Sequence, residues 1–98
     1  MSKELKKNLR LIQKRKDALR KNYAVRKIGI FGSIAKGTAK ASSDVDVLVE
    51  FAKPIGFFRF IELEDYLSAI FKKKVDLVTK DSLKPLIKQS ILNHVVYA

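Results

Sequence analysis

Hydrophobic residues recur at helical spacing through the first quarter of the chain. Lysine and arginine fill most of the positions between the apolar ones, which are Leu5, Leu9, Ile12, Leu19 and Tyr23. An apolar stripe with a period near 3.6 residues is typical of an amphipathic helix that packs one face on a core. The pattern predicts a helix over residues 3–22, within a basic N-terminal segment 1–22.

The next two stretches predict β-strands. AVRKIGIFG is rich in β-branched residues and predicts a strand that ends at Gly32, followed by a loop of small residues and one helical turn. In DVDVLVEF the valines Val45, Val47 and Val49 share one face, because successive side chains of a strand point to opposite sides. We expect this face to contact the core.

Acidic residues occupy the opposite face of that second strand. Asp44 and Asp46 alternate with the valines, and we expect them to lie, with Leu48 and Glu50, on an open side of the sheet. A rise of ~3.3 Å per residue separates the two acids by about 7 Å along the strand. In KKVDLVT, a third predicted strand, Asp76 likewise projects away from its aliphatic neighbours.

The remaining apolar positions predict two more helices. The first, FFRFIELEDYLSAIFKK, has apolar positions that we expect in the core rather than around a cofactor: Phe57, Phe60, Ile61, Leu67, Ile70 and Phe71. The second is expected to run to the end of the chain, with Asp81 and Ser82 as N-cap candidates and Pro85 in its first turn. Helices and strands in this order indicate an α/β (α+β) fold.

Composition narrows the classes of protein that remain. The 98 residues suffice for a single domain, 1–98, and 47% apolar with 32% charged residues is typical of a folded chain. The absence of cysteine excludes disulfides, thiolate catalysis, iron–sulfur clusters and cysteine-ligated zinc. No apolar run approaches the roughly 20 residues of a membrane span and no signal peptide is recognisable, so we expect a cytoplasmic protein.

The charge is strongly positive and unevenly distributed. Lysine and arginine number 21 against 10 acids, a net charge of +11. Residues 1–22 contribute +7 of this, from nine bases and two acids. Such a charge favours polyanionic partners, which include nucleoside triphosphates, nucleic acid and acidic proteins.

Three carboxylates on strand faces predict a cation between them, because ionised acids held together without one repel each other. Oxygen ligands suit Mg²⁺, with Mn²⁺ as a possible substitute, and two ions ~3.5–4 Å apart can stabilise an in-line phosphoryl displacement. Gly32 and Ser33 directly follow a strand and could bind phosphate oxygens through backbone amides and a hydroxyl, with Lys36 adding charge nearby.

Gly32-Ser33, ten further residues and then Asp44-Val45-Asp46, with Asp76 on a later strand, closely resembles the DNA polymerase β nucleotidyltransferase superfamily. The similarity extends from IGIFGSIAKGTAKASSDVDVLVEF to the last helix, and the short length resembles the minimal nucleotidyltransferases encoded beside HEPN-domain partners. This resemblance implies a small mixed sheet with helices packed on one face. It also implies transfer of a nucleoside monophosphate from a triphosphate with release of pyrophosphate.

The resemblance further implies a role for each acid. Asp44 and Asp46 are expected to bridge two Mg²⁺ ions, and Asp76 to complete the catalytic-metal site beside the acceptor hydroxyl. Ser33, aided by the Gly32 backbone, is expected to bind the β and γ phosphates.

Two positions qualify this picture. Lys36 stands where the minimal enzymes commonly have arginine, which keeps the charge but loses the bidentate geometry of a guanidinium. His94 is the single histidine of the chain. A hydroxyl deprotonated beside a metal needs no histidine base, so we expect His94 to be a surface or interface residue.

The favoured hypothesis is what the resemblance to minimal nucleotidyltransferases implies, an antitoxin that transfers AMP from ATP to a hydroxyl, commonly a tyrosine, on a separate HEPN toxin. Its support is size, because polymerases of the superfamily use extra domains to hold a template. Two alternatives stay open at this point. One is nucleotidyl transfer to RNA or to a small molecule such as an aminoglycoside, and the other is a non-catalytic module that binds a toxin or nucleic acid.

Overall fold

The fold is built on a four-stranded mixed sheet with the strand order β3-β2-β1-β4. The computed structural model describes every residue from 1 to 98. The elements in chain order are α1 (Lys3–Gln13), α2 (Lys16–Tyr23), β1 (Val25–Phe31), α3 (Gly32–Lys36), β2 (Val45–Phe51), α4 (Gly56–Phe71), β3 (Val75–Thr79), a 3₁₀ turn (Lys80–Ser82), α5 (Pro85–His94) and β4 (Val96–Tyr97). β1 pairs antiparallel with both β2 and β4, and β2 pairs parallel with β3. The predicted α/β architecture is confirmed.

A single hydrophobic core lies between the sheet and the helices α1, α2, α3 and α4. The predicted valine face of β2 is fully buried there, together with Ile28 and Ile30 of β1. The helices contribute Leu5, Leu9, Ile12, Leu19, Ile34, Leu63, Leu67 and Phe71. Helices cover the middle of the central strand β2. Charged side chains can therefore lie at the ends of the strands.

The N-terminal segment is not the continuous helix predicted over residues 3–22. α1 ends at Gln13 and α2 begins at Lys16, and the intervening Arg15 N–H donates to the Ile12 carbonyl at 2.9 Å, a tightened turn. The cause lies in the run QKRKD, residues 13–17, which is entirely polar and offers no side chain to hold a straight helix on the core. The break lets Leu19 become buried beside Ile12 in the same cluster.

The core face of α4 is also displaced from its prediction. Phe57 is 71% exposed and Ile61 is 37% exposed, so these two residues lie outside the core, whereas Leu67 and Phe71 are buried as expected. Leu63 joins the buried pair, and residues 63, 67 and 71 repeat every four positions along one helix face. The aromatic first turn of α4 therefore remains in solvent.

Leu48 departs from the expectation of an open strand face. Its side chain is completely buried, although it lies outside the main core cluster. Leu48 sits in the central strand, where Gly29 and Val78 are its cross-strand neighbours, and the 3₁₀ turn packs beside β2. The end of this strand face that carries Asp44 and Asp46 is thus the part that solvent reaches.

The last twenty residues differ at both ends of the predicted helix. Lys84, with extended backbone, is the N-cap of α5, while Asp81 and Ser82 form the preceding 3₁₀ turn. Pro85 occupies the first turn, as predicted. The helix ends at His94, after which β4 pairs with β1. None of the helices combines the length and the apolar character that a membrane span requires.

Candidate active site

Strand pairing brings the predicted site residues together at one end of the sheet. Phe31, the last residue of β1, is the antiparallel partner of Asp46, and Asp46 is the parallel partner of Asp76. Adjacent strands lie about 4.8 Å apart, so the two acids occupy neighbouring positions on one face. Gly32 directly follows Phe31 and therefore enters the same site.

Gly32 is in direct contact with the Asp46 carboxylate. Its φ of +71° lies in the left-handed region that side chains disfavour. A Cβ atom at this position would overlap Asp46 Oδ2 and lie 3.0 Å from Asp46 Cγ. Glycine is thus required both by the backbone turn and by the close approach of the carboxylate.

The electrostatics of the site centre on Asp46. Partial burial raises the pKa of the Asp46 carboxyl above its ordinary value of 3.8, and the charges of Asp76 and Asp44 raise it further. Asp44 itself is exposed just before β2, and Asp76 is exposed on β3. Asp44 and Asp76 are therefore both close enough to repel the Asp46 carboxylate.

The phosphate-binding candidates lie on the short helix α3. Ser33 is half-buried in its first turn, and the helix ends at the exposed Lys36, with Gly37 as its C-cap. Gly32 and Lys36 also line a cleft of ≈ 500 Å³ between α3 and α5, here called the α3–α5 cleft. The structure thus brings Gly32, Asp46 and Asp76 to one strand end, and it connects Gly32 to this cleft.

The donor set fits a hard cation such as Mg²⁺. All three carboxylates supply oxygen, the ligand type that Mg²⁺ prefers, and their mutual repulsion would be relieved by positive charge. No group of three or more acidic or histidine side chains is arranged to hold a metal ion unaided. Mg²⁺ sites of this kind take further oxygens from water and from substrate phosphates.

Comparison with known proteins identifies the family of the chain. Residues 12–98 match the family of nucleotidyltransferase domains. The chain belongs to this family. The match spans every strand and the whole of the candidate site.

Individual relatives make the comparison more specific. Protein adenylyltransferase MntA of Thermococcus cleftensis is 50% identical over 82 residues, covering 84% of this chain and 83% of that protein. A crystal structure of a toxin–antitoxin with AMP-PNP is 28% identical with a TM-score of 0.71, covering 87% of this chain and 69% of the matched one. A structure of a tri-AMPylated Shewanella oneidensis HEPN toxin in complex with an MNT antitoxin, 23% identical with a TM-score of 0.65, covers 92% and 70% and supports the fold.

The α3–α5 cleft is the part of the site region that the sequence did not indicate. Its apolar lining comes largely from α5, including Leu86, Ile87 and Ile91. Nothing in the sequence distinguished this apolar face from one that packs on the core, because Leu86, Ile87 and Ile91 have a helical spacing that suits either. His94, predicted as a surface residue, is exposed and lines the same cleft.

Proposed function

We propose that this chain is a Mg²⁺-dependent protein adenylyltransferase, which transfers AMP from ATP to a hydroxyl group of a HEPN toxin and thereby acts as its antitoxin. The observation that carries the chemistry is that Asp46 and Asp76 are partners on adjacent strands, with Gly32 in contact with the Asp46 carboxylate. The 50% identity with MntA of Thermococcus cleftensis supports a protein hydroxyl as the acceptor. The toxin–antitoxin with AMP-PNP supports an adenine nucleotide as the donor.

Each residue has a defined task in this proposal. Asp44, Asp46 and Asp76 would hold the Mg²⁺ ions. When bound, these ions supply positive charge that stabilises the attacking and leaving oxygens of the displacement. The Ser33 hydroxyl and the Gly32 backbone bind phosphate oxygens of the triphosphate.

The reaction is a single in-line displacement at the α-phosphorus. The acceptor oxygen forms a bond to that phosphorus while the bond to the bridging oxygen of the β-phosphate breaks, and pyrophosphate leaves with the bonding electrons. The hydroxyl proton passes to Asp76 and then to solvent. Lys36 adds a point charge near the triphosphate, without the two parallel hydrogen bonds that arginine would supply.

Intact mass spectrometry tests the proposal. The purified chain is incubated with ATP and Mg²⁺, with its HEPN toxin and, separately, with RNA. We expect one or more AMP additions on the toxin and none on RNA. AMP addition to RNA and not to the toxin would contradict a protein acceptor.

Matched variants separate catalysis from binding. Asp44→Asn is expected to abolish transfer and toxin neutralisation while the complex with the toxin persists. Asp65→Asn, which neutralises an exposed acid on α4, serves as the control and should transfer normally. Neutralisation by Asp44→Asn without transfer would instead indicate a stoichiometric binding module.

A further inference from the structure

The helix α5 is poorly covered by the rest of the chain. Every other α-helix of the protein buries at least one residue, whereas α5 buries none. Leu86 is 97% exposed and Ile87 is 49% exposed. A ten-residue helix is marginal without tertiary packing, so an uncovered apolar face on such a helix indicates a surface that a partner completes.

This uncovered face opens onto the candidate active site. Leu86, Ile87 and Ile91 line the α3–α5 cleft together with Gly32 and Lys36. Gly32 in turn contacts the Asp46 carboxylate. A segment bound in the cleft would therefore lie beside the acids proposed to catalyse AMP transfer, with only Gly32 between them.

The cleft and its surroundings are positively charged. The chain from residue 82 onward contains no acid, and it carries Lys84 and Lys88 on either side of Leu86 and Ile87. Lys36, Lys84 and Lys88 take part in no salt bridge of the protein. Lys36 lines the cleft, and Lys84 and Lys88 stand beside its α5 residues in the sequence. This charge favours a ligand with apolar residues at its centre and acidic residues at its flanks.

His94 adds one directional group to this lining. Its Nδ1 lies 2.7 Å from the Ser90 carbonyl oxygen, which can only accept, so Nδ1 carries the proton and donates. In the neutral ring this leaves Nε2 as a hydrogen-bond acceptor. The cleft can thus accept a hydrogen bond from a backbone amide or a hydroxyl of its ligand.

We infer that the α3–α5 cleft binds the acceptor segment of the partner protein, a stretch with a hydroxyl residue beside apolar residues and with acidic flanks. The inference rests on the proposed function and adds Leu86 and Ile87 as residues that select the acceptor. A protein segment is favoured over the adenine ring because Leu86 lines the cleft and yet is almost wholly exposed. A bound protein segment would cover the Leu86 side chain at the rim of the cleft. A purine bound inside the cleft would leave that side chain in water.

The test uses Leu86→Glu in the full chain, with two separate measurements. One is the dissociation constant for AMP-PNP with Mg²⁺, and the other is the KM for the HEPN toxin during AMP transfer. We expect Leu86→Glu to raise the KM for the toxin by about tenfold or more, which corresponds to loss of one interface anchor, and to change AMP-PNP affinity by less than about twofold. Because Leu86 is exposed, the variant should unfold at the temperature of the wild type.

One control variant accompanies the test. Phe58→Glu makes the same kind of change at an 80% exposed residue of α4 outside the cleft and should leave both constants unchanged. Weaker AMP-PNP binding by Leu86→Glu would assign the cleft to the nucleobase and overturn the inference, as would an unchanged KM for the toxin. If the wild type transfers no AMP, the proposed function fails, and direct toxin binding then decides: loss in Leu86→Glu supports the cleft as a docking site, and unchanged binding overturns it.

Discussion

Gly32 shows how one residue can serve the backbone and the chemistry together. Its left-handed φ turns the chain from β1 into α3, and its missing side chain lets the backbone touch the Asp46 carboxylate. Gly37 has a similar φ of +76°, but no atom lies within 4 Å of the position a Cβ would take. The two glycines therefore share a backbone requirement and differ in the steric one.

This difference predicts unequal effects of alanine. Gly37→Ala should cost about 1 kcal/mol of stability through backbone strain and keep AMP transfer near the wild-type rate. Gly32→Ala adds the overlap with Asp46 and should lower the transfer rate by about a hundredfold or more, since small displacements at a reacting centre are that costly. Transfer rates of the two variants, measured beside their thermal unfolding, check this, and equal rates would contradict it.

Asp46 predicts an unusual dependence of stability on pH. Its pKa is raised in the folded protein, chiefly by burial, so between 3.8 and the folded pKa the folded state holds more protons than the unfolded one. The contribution of Asp46 to the free energy of unfolding therefore falls as the pH rises through this window, and it stays low at higher pH.

Asp46→Asn removes this unfavourable charge. In metal-free protein we expect the variant to be more stable than the wild type near pH 7, and to lose this advantage as the pH falls towards 3.8. Urea denaturation of both proteins across this range measures the difference. A stability difference that is the same at every pH would contradict a raised pKa of the Asp46 carboxyl.

At the scale of the element, α4 illustrates which apolar residues a helix buries. Its sequence offers more apolar positions than one face can hold, so helical spacing alone permits several choices of stripe. Packing against the sheet selects Leu63, Leu67 and Phe71 and leaves Phe57 and Phe58 in solvent. The two exposed rings contact each other, with centroids 5.7 Å apart.

Truncations on the two faces of α4 should therefore differ sharply. Leu67→Ala leaves a cavity in the core and should cost about 3 kcal/mol, whereas Phe57→Ala should change the free energy of unfolding by less than about 0.5 kcal/mol. Chemical denaturation of both variants tests this contrast. A large loss in Phe57→Ala would mean that the first turn of α4 is covered in solution.

The whole molecule is a strong cation whose charge lies mostly in the N-terminal segment. Residues 1–22 hold +7 of the net +11. Lys3, Lys6 and Lys7 of α1 are exposed and belong to none of the salt bridges. Such a field attracts any polyanion and so does not by itself identify a substrate.

Binding to single-stranded RNA should accordingly be weak and salt-dependent. Replacing Lys3, Lys6 and Lys7 with glutamine should lower the slope of log affinity against log salt by up to about 2, because each lost phosphate contact removes about 0.7. Fluorescence anisotropy with an oligouridine at about 50 to 300 mM NaCl measures the slope. An unchanged slope would exclude α1 as the contact surface.

Periodicity and motif spacing determined much of this protein directly. Strand alternation made the valines of β2 a core face and its acids a separate one, and the GS…DVD spacing with Asp76 predicted the family that residues 12–98 match. These features are local, because the residues that create them are neighbours in the chain or follow from a fixed strand period. The roles given to Asp44, Asp46, Asp76, Ser33 and Lys36 stay predictions, and Asp44→Asn tests the first of them.

Tertiary structure alone decided what depends on contacts between distant segments. The break between α1 and α2, the buried stripe of α4 and the burial of Leu48 each follow from which element lies opposite, and no local period encodes that. The same holds for β4, whose two residues gain their strand conformation from pairing with Gly29 and Ile30 of β1. The α3–α5 cleft likewise exists because the fold sets an uncovered helix beside Gly32, a relation between residues more than fifty positions apart.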